Sequence, residues 1–224
     1  MRGVFYSVEA SVLYVFRHTF AILSYMKSLQ LSKPHIIAMM GIPGSGKTFF
    51  AEQFAETFNA SLVSYEKINQ NIFGNTINTK AGLLAVDRVA SYMLKELLKS
   101  GHTIILDGPT ESRANRIALA QLAKQAGYET LFVWSQIETA TAKSRATKTN
   151  KDKTGISIEM FEGITKRFTV PSAAEKAVVI SGKHTFASQL RIVLKHLVEP
   201  RTEAAADLQV PRPRSTTDHR IMIR

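Results

Sequence analysis

The stretch GIPGSGKT, from Gly41 to Thr48, constrains this chain more than any other. It fits the pattern G-x-x-x-x-G-K-[ST], with Gly41, Gly46, Lys47 and Thr48 at the fixed positions and Gly44 inside the loop. Glycines let a backbone turn tightly and aim its N–H groups inward at an anion. A lysine at this place reaches the β- and γ-phosphates of a nucleotide, and the hydroxyl that follows is a ligand for Mg²⁺. The flanks suit such a loop. HIIAMM before it is a short continuous apolar run, as in a buried parallel strand. FFAEQFAETF after it is amphipathic and predicts a helix whose positive N-terminus points at the phosphates. Gly41, Ile42, Pro43, Gly44, Ser45, Gly46, Lys47, Thr48 and Phe49 are therefore the expected nucleotide-binding residues, with ATP and Mg²⁺ as their ligands.

The rest of the chain keeps the alternation. SLVSY (61–65), HTIILDG (102–108), ETLFVWSQ (129–136) and AVVISG (177–182) read as further strands. Helices are predicted over 46–58, 66–73, 112–126, 138–148, 158–168 and 185–197. A long helix runs to Ser100, capped by Asn78 or Thr79, with Leu83, Leu84, Val86, Val89, Ala90, Met93, Leu94, Leu97 and Leu98 on its apolar side. Strands alternating with helices imply an α/β fold: a mainly parallel five-stranded sheet, helices on both faces, of the phosphate-loop nucleoside-triphosphatase class.

A phosphate loop needs an acid to position its metal. HTIILDG puts Asp107 at the carboxyl end of a strand, which in a parallel sheet opens on the same edge as the loop. Thr48 and Asp107 are thus the expected Mg²⁺ residues, directly or through water; the other reading of Asp107 is an acid that starts a turn with Gly108.

Formal charge is +11, of which residues 1–33 and 200–224 together carry +5. Within the remainder, the run 143–153 alone supplies +4, from Lys143, Arg145, Lys148, Lys151 and Lys153 against Asp152. A local basic cluster suits a polyanion such as ATP. Nucleic acid usually needs an extended basic face, so it is the weaker partner reading. The six histidines are scattered without metal-ligand spacing, and the absence of cysteine excludes disulfides and a thiol nucleophile. That composition fits a reducing compartment, and the cytoplasm is the expected location.

Residues 1–33 form an apolar extension interrupted by Glu9, Arg17 and His18. No uncharged run there approaches the roughly 18 residues a spanning helix needs. A helix packed on the domain, an interfacial amphipathic helix and translated upstream sequence are the three readings, the last preferred because Met26 opens a natural lead into the first strand. Residues 34–199 form the expected domain, and the tail 200–224, with PRPRSTTDHR, lacks an apolar pattern and is expected to be disordered.

With GIPGSGKT, SYEKINQNIFG, IILDGPTESRANR, the basic segment and FTVPSAAEKAVVISG in place, the chain resembles phosphate-loop kinases grouped around polynucleotide 5′-hydroxyl kinase and the zeta-toxin kinases, often described as AAA-family ATP-binding proteins. The resemblance covers roughly residues 34–198. It implies an ATP-dependent phosphotransferase acting on a hydroxyl. In that group the segment after the second strand commonly reads Ser-x-Asp-x-Ile-Arg, whose acid takes the proton of the attacking hydroxyl and whose arginine holds the acceptor. Here Glu66 stands for the aspartate and Asn69 for the arginine. Glutamate keeps the carboxylate chemistry with one more methylene, whereas loss of the arginine removes a charge that would bind an acceptor phosphate. Glu66 also reads as a first-turn helix acid favoured by the dipole.

The resemblance further implies an arginine on the helix after the strand-end acid. Arg116 fits, with Arg113 nearby, either to contact the acceptor or to cover the sheet edge. It implies a lid carrying two arginines four residues apart. Arg145 matches the first, while Thr149 holds the second place beside Lys148 and Lys151, within a basic lid near 143–155. Gly182 and Lys183, after the last strand, fall where related folds hold the adenine. The catalytic candidates are Lys47, Glu66, Asp107 and Arg145, with Glu66, Asn69 and Arg116 toward the acceptor. The acceptor is a small metabolite, a nucleoside or a polynucleotide 5′ end, and the sequence leaves it and the oligomeric state open. An ATP-dependent switch without phosphotransfer is the alternative function.

Overall fold

The computed structural model describes residues 33–74, 79–148 and 155–198. The expectations for the apolar extension, apart from Lys33, and for the tail past 200 fall outside these residues, as does most of the loop 149–155.

Among the described residues the order is β1 His35–Met40, α1 Lys47–Phe58, β2 Ser61–Ser64, α2 Tyr65–Phe73, α3 Lys80–Leu98, β3 Ile104–Asp107, α4 Arg113–Gln125, β4 Glu129–Gln136, α5 Thr139–Thr147, α6 Ile158–Arg167, a 3₁₀ turn Ala173–Glu175, β5 Val178–Ser181 and α7 Phe186–Val198. Helix starts follow local chemistry. The hydroxyls of Ser64, Thr79, Ser112 and Ser157 accept from backbone N–H groups of Lys67, Gly82, Asn115 and Met160. Each satisfies a donor the first turn would leave orphaned.

The five strands are parallel and lie in the order β2-β3-β1-β4-β5. The central strand β1 is buried throughout, which explains its unbroken apolar run. Its residues alternate between two cores. Ile36, Ala38 and Met40 pack with Val86, Ala90 and Leu94 of α3 and with Leu119 and Ala123 of α4. Ile37 and Met39 pack with Phe50 and Phe54 of α1 and with Leu190 and Val193 of α7. The helices therefore cover both faces.

One expectation needs correcting. In α3 the inward stripe is Gly82, Val86, Ala90, Leu94 and Leu98, one residue in four, while Leu83, Leu84, Val89 and Met93 are exposed. This helix packs on β2, the short strand at the sheet edge, so only a narrow stripe of it can be covered.

The topology places the site. The helix after β1 packs on one face and the helix after β3 on the other, although β1 and β3 are neighbours. Adjacent strands whose connections leave in opposite directions open a crevice at their carboxyl ends, where ligands of such sheets bind. The phosphate loop follows β1 and Asp107 ends β3, so both stand at that crevice.

Candidate active site

The loop 41–46 is held in a shape only glycine takes easily. Gly41, Gly44 and Gly46 have φ of 139°, 77° and 99°. A Cβ on Gly44 would sit 2.2 Å from the Ala142 carbonyl of α5, so this glycine is also where α5 meets the loop. On the other side, a Cβ on Gly182 would lie 2.2 Å from the Ser45 carbonyl. That carbonyl accepts from Ser135 Oγ at 2.7 Å. The loop is thus wedged between α5, the end of β4 and the turn after β5. Ile42 packs into the small core formed by Ala142, Ala146 and Phe161.

The loop has the features of an anion cradle. The first bonded N–H of α1 is that of Phe50, to Gly46 O at 3.1 Å, so the donors of the preceding turn have no intrahelical partner. Ser45 Oγ is buried without a hydrogen-bond partner among the described residues. Lys47 Nζ donates to Ile42 O at 3.0 Å, which curls the ammonium back over the loop. Thr48 Oγ1 donates to Asp107 Oδ2 at 2.6 Å. That pair joins the phosphate loop to the neighbouring strand end and sets two hard oxygens side by side. Such a donor set suits Mg²⁺, which takes one or two protein oxygens and fills its octahedron with phosphate and water.

The side of the crevice next to Asp107 is built from β2 and β3. Ser64 and Asp107 are register partners at the ends of these strands. Glu66 follows two residues later in the first turn of α2, half-buried, and Asn69 lies one turn on with 4% exposure. The Tyr65 ring lies close against Gly108, just after Asp107, where an added Cβ would come within 2.7 Å of it. Its hydroxyl donates to Asp87 at 3.2 Å, and burial followed by the Asp87 charge pushes its pKa up to about 12.

On the β5 side, Arg145 Nη1 donates to Gly182 O at 2.9 Å, and Lys183 Nζ donates to Glu138 at 2.8 Å. The Lys183 ammonium, as hydrogen bond and as charge, lowers the pKa of Glu138. Lys143 pairs with Glu162 across α5 and α6 at 2.8 Å. Phe49, on the first turn of α1, is 54% exposed.

Lys47, Thr48 and Asp107 are therefore brought together at the crevice, Glu66 and Asn69 flank them on the β2 side, and Arg145 and Lys183 flank them on the β5 side. Arg116 is different. It is 1% exposed, with its guanidinium bonded to Glu175 and to the carbonyls of Thr110, Glu111 and Thr169. Its guanidinium is thus taken up by groups of the loop after β3, the stretch past α6 and the 3₁₀ turn. Sequence reasoning missed Ser135, Thr110 and Glu175. Only Ser135 left a signal, as a polar residue in the apolar strand LFVWS.

Comparison with known proteins agrees with this architecture. The sequence pattern described as AAA domain matches residues 36–171, well over half of the chain. The chain belongs to this AAA domain family. A chain of the Pnkp1/Rnl/Hen1 RNA repair complex is similar in structure, with TM-score 0.54 and 18% identity over 67% of this chain and 47% of that one. The APS kinase CysC of Mycobacterium tuberculosis, solved with AMPPNP and APS, has TM-score 0.53 and 15% identity over 74% of this chain and 98% of its own. A gluconokinase from Sinorhizobium meliloti 1021 has TM-score 0.51 and 17% identity over 73% and 91%. In sequence, 6-phosphofructo-2-kinase/fructose-2,6-bisphosphatase 1 of Mus musculus is 24% identical over 123 residues, 46% of this chain. The match spans about a quarter, 26%, of that curated relative's length. The fold of this family member is thus that of the phosphate-loop kinases, and the resemblance to the polynucleotide-kinase and zeta-toxin group holds at the level of fold.

Proposed function

We propose that this chain is an ATP-dependent phosphotransferase that moves the γ-phosphate of ATP to a hydroxyl. The single observation that carries the reading is the Thr48–Asp107 hydrogen bond at 2.6 Å beneath the glycine loop. It joins the loop that holds a triphosphate to the acid that holds its metal. Thr48 and Asp107 would hold Mg²⁺, which neutralises charge on the β- and γ-phosphates.

The chain's own residues then divide the work. The glycine loop and the N-terminus of α1 bind the phosphates, and Lys47 moves from Ile42 O onto the β- and γ-oxygens. Arg145 exchanges its Gly182 carbonyl for the transferring phosphoryl group, where a guanidinium offsets the charge of the transition state. Asp107 is the metal's acid in this reading, and Glu66, in the first turn of α2, takes the proton of the attacking hydroxyl. With Asn69 buried where the resembling group carries arginine, the acceptor pocket lacks that phosphate-binding charge. A small hydroxyl compound is therefore favoured over a polynucleotide 5′ end.

The test is transfer of γ-labelled phosphate to a pool of small hydroxyl metabolites and, separately, to a 5′-hydroxyl oligonucleotide. Label in the pool, abolished by Lys47→Ala, is the expected result. Label on the oligonucleotide would overturn the acceptor assignment. Bound ATP without transfer to either would favour a nucleotide-dependent switch.

A further inference from the structure

Arg116 is the bulkiest of the fully buried side chains among the described residues. Burying a guanidinium is costly unless its donors are matched, and here all three nitrogens are bonded, the two hydrogens of Nη1 being shared among three carbonyls. The partners belong to three separate segments. Nη1 reaches the carbonyls of Thr110 and Glu111, in the loop after Asp107, at 3.1 and 3.4 Å. It also reaches Thr169 O, just past α6, at 3.0 Å. Nε and Nη2 fork onto the Glu175 carboxylate in the 3₁₀ turn.

Two further bonds tighten the junction. Thr169 N donates to Glu111 O at 2.8 Å, so both backbone groups of Thr169 are tied to this assembly. Thr110 Oγ1 donates to Met39 O at 2.6 Å, at the end of the strand that feeds the phosphate loop.

Before Thr169 comes α6, whose Phe161 packs on Ala142 and Ala146 of α5. Helix α5 carries Arg145 and rests on Gly44 through the Ala142 carbonyl. The α5–α6 pair is therefore attached twice: at α5 to the phosphate loop, and at the foot of α6 to the loop after Asp107. We propose that Arg116 is a positioning residue that fixes the foot of the α5–α6 pair to the loop after Asp107, so that Arg145 and the acid side of the site meet the same phosphoryl group. This rests on the kinase reading given above. Arg116 itself touches no reacting atom.

The chain supplies its own reporter. Trp134 is the only tryptophan, and its ring lies 6.0 Å from that of Phe168, next to Thr169. Arg116→Lys keeps a charge for Glu175 but loses the planar fork that also spans Thr110 and Thr169. We expect the KM for ATP to stay within about twofold and kcat to fall roughly ten- to a hundredfold, as misplacement of a reacting group does. Trp134 emission should change on ATP binding in the wild type and lose that response in Arg116→Lys. Glu175→Gln removes the charge at the other end of the same clamp and should move both readouts in the same direction.

Wild-type kcat in both variants overturns the proposal. So does a loss of turnover that only matches a loss of ATP-binding stoichiometry, since that is misfolding. If the wild type transfers no phosphate, the kinase reading fails, and the clamp is judged by Trp134 alone. An ATP-induced emission change of equal size in the wild type and Arg116→Lys then refutes it.

Discussion

Adding one methyl group at Gly182 should disable the phosphate loop without touching it in sequence. The backbone there does not require glycine, since Gly182 is not among the positive-φ residues. The constraint is space. The new Cβ would lie 2.2 Å from Ser45 O and 3.4 Å from Gln136 O, and real Cβ contacts below 3.0 Å essentially do not occur. The loop or the turn must then shift by about 0.8 Å, a difference read from these two distances. Ser45 is fully buried, and its carbonyl is already bonded to Ser135 Oγ at 2.7 Å. Overpacking of this kind costs about 1–3 kcal/mol, and loss of the Ser135 bond about 1 kcal/mol more. Gly182→Ala should therefore destabilise by roughly 2–4 kcal/mol, or roughly 5–15 °C in Tm for a domain of this size. ATP affinity should fall at least about tenfold, because the displaced backbone is the one that cradles the phosphates. Gly127→Ala is the control. At φ 79° with nothing within 4 Å of the added Cβ, it carries conformational strain alone. It should cost about 1–2 kcal/mol and leave ATP affinity unchanged. Thermal unfolding and calorimetric ATP titration read both variants. Gly182→Ala with wild-type Tm and affinity, or Gly127→Ala with equally weakened binding, would refute the packing argument.

Other perturbations separate the parts of the site. Thr48→Val should abolish the gain in ATP affinity that Mg²⁺ brings while leaving binding in chelator nearly unchanged, as read by titration with and without the metal. Glu66→Gln should lower phosphotransfer by about 10²–10⁴-fold with ATP binding intact, the span expected for loss of a general base. Glu175→Gln should cost stability at neutral pH, up to about 3–5 kcal/mol for a broken buried pair. The Arg116 hydrogen bond holds the Glu175 carboxyl at a pKa of about 2, below its ordinary 4.5. A depressed acid contributes stability above its unfolded pKa and loses it as pH falls toward the folded one. The gap in urea midpoint between wild type and Glu175→Gln should therefore be widest above pH 4.5 and narrow toward pH 2.

What was legible in the sequence was local. The glycine loop, its strand and helix, and Asp107 at a strand end were readable because each signal lies within a few residues of its partner. The cap at Thr79, one of the two residues expected there, was readable for the same reason. The exposed leucines of α3 were misread because an apolar period reports which side of a helix is greasy. It does not report how wide a neighbour covers that side, and an edge strand covers little. Arg116 had two readings because its partner Glu175 is 59 residues away. Gly182 was read only as a neighbour of the adenine, since its need for glycine comes from Ser45 in a distant loop. Asn69 was visible as a missing arginine, while its burial needed the fold.

The central claim is that the loop at 41–48 holds ATP for transfer to a hydroxyl, and acceptor-dependent formation of ADP tests it most directly. The wild type, with Mg²⁺ and ATP, should release ADP faster when a mixture of small hydroxyl compounds is added, and Lys47→Ala should not respond. ADP formation that is indifferent to every acceptor, or that survives in Lys47→Ala, would contradict the account.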